Sequence, residues 1–315
     1  MSLEPQDDQP VQGRERFLYG GVFLVSTAVL LLQIALTRIF SFSLWYHFTY
    51  VTISVALLGY GASGTFLAVF PQLAGRDPAR RLSLYALACG LSIIVAYTVF
   101  ATLPFWPFQL LAQPGRQIPY LLIYYAAVVT PFFLAGLCMS VALKTLAQQV
   151  SRLYFFDLAG AGVGCLLVVF VISAVSTPGA VIVAAVIVCL AGAIFSRAAR
   201  RGGLSVPAAV TAVVAVLGTI LAANVDFGPS PEKFLSAFTS NPENIKFHRH
   251  HWSPIFRTDV IGFKDEQTRR AIGYAAWGVS PYWKDHAVTA APEVRRLTHD
   301  GDAGADIYNF DGDLS

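Results

Sequence analysis

Few side chains in the first two-thirds of this 315-residue chain could do chemistry, and they stand singly rather than in clusters. Between Phe17 and Val225 the only acidic residues are Asp77 and Asp157, and only Asp157 falls inside an apolar run, Tyr154–Gly160. A carboxylate at membrane depth is costly and faces a partner or a polar cavity, which makes Asp157 a candidate site. Its place near the start of the run leaves a second reading open, a solvated or helix-capping group at the interface. Arg38, at the end of the first apolar run, is a candidate partner only at equal depth. Loop charges put the two toward opposite faces, so the pair is discounted. His47, within Trp45–Phe48, lies in an aromatic cluster of the kind enriched at bilayer interfaces, with a ligand role as the alternative.

The remaining motifs have bland readings that outweigh the chemical ones. Gly59, Gly61 and Gly64 spell the dinucleotide fingerprint, but that motif works after a strand and before a helix N-terminus. Here it lies in mid-run, where small residues serve close helix packing; Gly160 and Gly164 form a similar face. His248, His250 and His251 invite a metal reading, but no cysteine or carboxylate accompanies them at ligand spacing. On a strand only His248 and His250 share a side, so solvated histidines and no metal are expected. His299–Gly304 clusters Asp300 and Asp302 without the longer calcium-loop pattern, and reads as a plain turn. Cys89, Cys138, Cys165 and Cys189 all fall in apolar runs, as packing residues rather than a disulfide framework.

The elements that position these groups follow from hydropathy. Mean hydropathy is +0.57, with 55% hydrophobic and 13% charged residues, against about 25% charged in a soluble domain. The net charge of +3 is small and gives no reason to expect nucleic-acid binding. A spanning helix needs about twenty apolar residues. Candidates are Phe17–Phe40, His47–Phe70, Leu82–Leu103, Tyr120–Leu143, Leu153–Val175, Ala180–Phe195 and Leu204–Val225. The fifth and sixth are joined only by Ser176-Thr177-Pro178-Gly179, a tight helical hairpin. The first run is too long for a cleaved signal and lacks a small-residue cleavage site.

The fold class expected is therefore an α-helical polytopic membrane domain of about seven helices, followed by a small β-rich segment. Residues 1–16 form a tail, 17–225 the membrane domain, 226–244 a linker and 245–315 the β-rich part. Arg14, Arg16, Arg76, Arg80, Arg81, Lys144, Arg152, Arg197, Arg200 and Arg201 fall in loops on one side, and Arg38 and Arg116 on the other. That bias puts the N-terminus in the cytoplasm of an inner membrane. Seven spans would leave the C-terminal segment outside; an even count, with a re-entrant piece in Pro104–Pro119, would return it. In the C-terminal part, one helical turn is expected at Lys233–Ala237. Strands are expected at Ile245–Phe263, Arg269–Val279 and Asp306–Phe310, with a turn at Asp265–Gln267. So few apolar residues make a poor independent core, and the segment needs something more to pack on.

Several segments taken together resemble bacterial membrane-anchored spermidine synthase-like proteins. They are Leu36–Phe40, Leu44–Phe48, Leu57–Gly64, Tyr154–Gly164, Trp252–Pro254 with Arg257–Val260, and Asp300–Gly304. The resemblance covers the chain from about Phe17 onward. It implies a helical domain followed by an aminopropyltransferase-type domain, with a small β part and a Rossmann-like catalytic part. The implied chemistry is transfer of an aminopropyl group from decarboxylated S-adenosylmethionine to putrescine. The sequence stops at Asp311–Ser315, roughly where the nucleotide-binding part would begin. No catalytic residue carries over, and the chain is expected to be the front part of such a protein with no cofactor of its own. Two alternatives stay open: transport or sensing of a polyamine or other small molecule through Asp157 and His47, and an anchor or scaffold that forms homo-oligomers through small-residue faces.

Overall fold

The computed structural model describes residues 11–199, 203–239, 245–264 and 294–308. Among these the fold is mostly helical, with six helices long and apolar enough to cross a membrane. These are α1 (Val11–Ser43), α2 (Phe48–Val69), α3 (Pro78–Thr102), α4 (Pro114–Thr145), α5 (Val150–Ala198) and α6 (Ser205–Asn224). A short α7 (Phe234–Thr239) precedes an antiparallel meander of β1 (Ile245–Trp252), β2 (Arg257–Phe263), β3 (Val294–His299) and β4 (Gly304–Tyr308), in that order across the sheet.

The expected spans at Leu153–Val175 and Ala180–Phe195 are both contained in α5, which is interrupted at Ser176 with φ 72° and ψ 169°. The local chemistry explains the break. Ser176 Oγ accepts from the Gly179 amide at 3.4 Å, and Pro178 follows, which is how a helix N-terminus is begun. Phe23 and Thr27 of α1 meet Gly160 and Gly164, near the start of α5. Gly20 and Gly21 meet Ile194 and Phe195, near its end. The two halves of α5 thus lie against the same stretch of α1, which a straight helix of this length, roughly 70 Å, could not do.

Glycines set how closely these helices approach. A Cβ on Gly160 would lie 2.2 Å from the carbonyl oxygen of Phe23, and one on Gly164 2.6 Å from that of Thr27. Gly59, first of the fingerprint-like glycines, would put a Cβ 3.0 Å from the Val129 carbonyl of α4. All three glycines of that motif sit within α2, and Gly61 has open space beside it. Three of the cysteines are buried among the helices and Cys165 is exposed on α5. The Cys89 thiol donates to the carbonyl of Pro131 in α4 at 3.3 Å.

The two ends of the bundle differ. At one end Gln149, just before α5, donates to Glu15 at 3.0 Å and accepts from the Tyr19 hydroxyl, and Arg152 lies 4.9 Å over the Tyr19 ring. Arg200 and Arg201 fall outside the described residues. The opposite end carries the sheet. There Phe227, after α6, meets Tyr97 of α3 edge to face at 5.3 Å, and the C-terminal end of α1 meets β2 and the β3–β4 turn.

The strand expected over Ile245–Phe263 is two strands. Ser253 turns the chain between them, its hydroxyl donating to the Phe256 carbonyl at 2.7 Å and its backbone amide closing on the same oxygen at 3.0 Å. The turn expected at Lys233–Ala237 overlaps α7, which begins one residue later and ends two residues later, and Asp306–Phe310 overlaps β4. Arg269–Val279 and Asp265–Gln267 lie outside the described residues. The sheet does pack on something more: Phe238 of α7 meets Phe263 at 5.4 Å, and Leu235 is buried with Ile245, Ile261, Phe263 and Val294.

Candidate functional site: the junction between α1 and the sheet

The densest set of charged and aromatic side chains lies where the last turn of α1 meets the sheet. Directly opposed residues of antiparallel strands share a face, so Trp252 and His250 of β1, Arg257 and Asp259 of β2, and Thr298 of β3 point the same way. Phe42, fully buried at the end of α1, projects into that face. Cations and rings then alternate. Trp45 lies 5.4 Å from Lys233 Nζ, which lies 5.7 Å from Phe42. Arg257 lies 4.3 Å from the Phe42 ring and 5.2 Å from Trp252. Both cations are buried, which is tolerable only with partners that replace the water they give up.

Those partners come from both sides of the junction. Lys233 Nζ donates at 2.5 Å to the Ser41 carbonyl of α1 and at 2.5 Å to the Asp300 carbonyl of the β3–β4 turn. Arg257 reaches Asp259 at 3.0 Å, Asp226 at 3.3 Å and the Phe227 carbonyl at 3.1 Å. Asp300 has two carboxylate oxygens and uses both. One accepts from the Arg257 amide at 2.9 Å, and the other from the Ser41 hydroxyl at 2.9 Å. Its own amide donates to the Arg257 carbonyl at 2.8 Å. Asp300 and Gly301 adopt φ of 48° and 75°, a region that Asp tolerates and Gly prefers. The Gly301 carbonyl then accepts from Leu235 of α7 at 2.8 Å.

Burial pushes the Lys233 ammonium down to about 8, with the Asp300 and Asp302 charges pulling it back up. It also pushes the Asp259 carboxyl above the usual range, against the opposing pull of Arg257. Asp259 is wholly buried, and its Oδ2 has no hydrogen-bond partner among the described residues; nor, among them, has Thr298 Oγ1, on the residue directly across from it.

The residues singled out from the sequence separate into distinct places. Asp300 and Arg38 come to the junction, where Arg38 donates to the Ile255 carbonyl. Asp302 is exposed and lines an open cavity of about 630 Å³ with Phe234, Arg296 and Asp306, the last two forming a paired contact at 2.6 Å. Asp157 is half-buried elsewhere, accepting from the Ser26 hydroxyl of α1; Arg38 is not its partner. His47 is exposed against Tyr46, at the start of α2, with ring centroids 3.8 Å apart. His248, His250 and His251 lie on β1, and no metal-binding group is found among the described residues.

Sequence reasoning missed Lys233, Arg257, Asp259 and Phe42 as members of one site. Arg257 and Asp259 share a strand face at i and i+2, and this charged pair amid apolar neighbours was the signal available. Lys233 gave none, because its partners are backbone carbonyls far away in sequence. No protein-family model, curated protein or solved structure matches the chain.

Proposed function

We propose that this chain is the membrane-embedded front part of a spermidine synthase-like protein, in which the helical bundle holds a β-rich extramembrane unit in fixed register with α1. The observation that carries the reading is where the resembling segments fall. Leu36–Phe40 and Leu44–Phe48, at and just after the end of α1, are distant in sequence from Trp252–Pro254 with Arg257–Val260 and from Asp300–Gly304, yet residues of all of these meet at one junction, while Leu57–Gly64 and Tyr154–Gly164 lie within α2 and α5. A single membrane anchor would need no such lock; a platform that orients a following catalytic part would.

In this reading the chain crosses the bilayer seven times, because α5 folds back at Ser176 and crosses twice. Support comes from the contacts of both its ends with the first half of α1 and from the capping at Ser176-Thr177-Pro178-Gly179. The arginine-rich end, with Arg14, Arg16 and Arg152, faces the cytoplasm of a bacterial inner membrane. The sheet then faces away from it. Decarboxylated S-adenosylmethionine is a cytosolic metabolite, so aminopropyl transfer on this protein requires donor on the sheet side.

The test is a transfer assay on membranes carrying the gene's complete product, given decarboxylated S-adenosylmethionine and putrescine. Spermidine formed above control membranes, and only in vesicles whose sheet side is accessible to donor, is the expected result. No spermidine in fully permeabilised vesicles overturns the assignment of the reaction.

A further inference from the structure

We propose that the connection between α3 and α4 is a lipid-dipping loop, which inserts apolar side chains into the interfacial layer of the leaflet on the sheet side. The segment 103–113 contains Phe105, Trp106, Phe108, Leu110 and Leu111 and no charged residue. Its inner half is anchored. Phe105 packs on Tyr124 at 5.2 Å, and the Trp106 amide donates to the side chain of buried Gln117 at 3.1 Å. Its outer half is not covered: Phe108 is 53% exposed and Leu111 is 94% exposed.

The loop lies level with a bilayer surface because it joins the end of one apolar helix, Thr102, to the start of the next, Pro114. Its neighbours fit that level. Trp45 meets Phe108 at 5.8 Å, Tyr46 and Tyr50 are exposed close by in sequence, and Arg116 stacks over Tyr120 at 5.7 Å. Aromatic rings and a snorkelling cation are the residues favoured where hydrocarbon gives way to headgroups. The occupant inferred for this surface is therefore the bilayer itself rather than a protein partner. Water would leave the leucine and phenylalanine side chains unfavourably hydrated, and the exposed polar residues beside them, Gln113 and Arg116, stand where headgroups would meet them.

The inference rests on the chain being membrane-embedded, and the experiment separates the two. Single nitroxide labels are placed at L111C, at L58C on the exposed face of α2, and at D302C on the exposed turn, each in the full chain carrying C165S so that no exposed native thiol competes, reconstituted in phospholipid vesicles. Collision with oxygen reports lipid, and collision with a water-soluble nickel chelate reports solvent. Leu111 is exposed, so its replacement leaves packing intact. The expected result is a several-fold excess of oxygen over nickel collisions at positions 111 and 58, and the reverse at 302. Nickel-dominated collisions at 111 with oxygen-dominated collisions at 58 overturn the loop insertion alone. Weak collisions with both reagents at 111 mean a protein surface covers it, which also overturns the proposal. Nickel-dominated collisions at 58 overturn the membrane reading itself.

Discussion

Lys233 shows most clearly how single residues hold this molecule together. It is an ammonium taken out of water, bonded to two main-chain carbonyls, one on α1 and one on the β3–β4 turn, and flanked by Phe42 and Trp45. Folding lowers its ionisation from the ordinary 10.5 to about 8. Between those two values the undocked chain binds the proton and the docked chain does not, so docking stability rises with pH across that window. The full effect is about 3 kcal/mol, at roughly 1.4 kcal/mol per unit. Measured by thermal unfolding of purified protein, the wild type should gain stability from pH 8 to pH 10.5 relative to K233M; parallel curves would show that the ammonium is not desolvated. The sequence pointed to Asp300 and Arg38 but left their partners unknown. Asp300 stood in a motif-like turn, and its bonds to Ser41 and Arg257 depend on strands and helices that local patterning does not place. Asp157, the most conspicuous residue in the sequence, has a plain partner in Ser26.

The helices were legible because about twenty consecutive apolar residues have few other solutions in a chain this apolar. Their boundaries were extended mainly by the interfacial turns, as at α4, which begins at Pro114 rather than Tyr120 and carries Pro119 and Pro131 within it. The hairpin signal at Ser176–Gly179 was also readable, since serine followed by proline caps a new helix. Less legible was which small residues face a neighbour. Gly160 and Gly162 look alike in sequence, yet only Gly160 touches α1: Thr27 donates to its carbonyl at 2.9 Å, while Gly162 has open space beside it. Gly160→Val should cost about 3 kcal/mol, because the added atoms meet the Phe23 main chain and the helices must part. Gly162→Val should change stability by about 0.5 kcal/mol or less. Unfolding of both variants in the same detergent checks the contrast, and equal losses would mean the α1–α5 seam is not packed through Gly160. In the sheet, reading Ile245–Phe263 as one strand failed because the apolar and aromatic pattern runs on through Ser253–Phe256, where a serine turn reverses the chain without glycine.

At the scale of the whole molecule, the sheet side gathers the end of α1, the end of α3 and the segment after α6, while Glu15, Gln149 and Arg152 gather at the other. Those two sets of contacts lie at opposite ends of the bundle, as the proposed seven crossings require. The small β-rich unit gains from α1 and α7 the packing that its own few apolar residues do not supply. Its orientation is therefore set by the membrane domain. A paired C-terminal fusion after Ser315 tests this account most directly, using one reporter that fluoresces only in the cytoplasm and one enzyme active only outside it. Seven crossings with the N-terminus inside predict the external enzyme active and the fluorescent reporter dark. Cytoplasmic fluorescence with an inactive external enzyme would contradict the fold-back of α5 as a pair of spans and the placement of the junction.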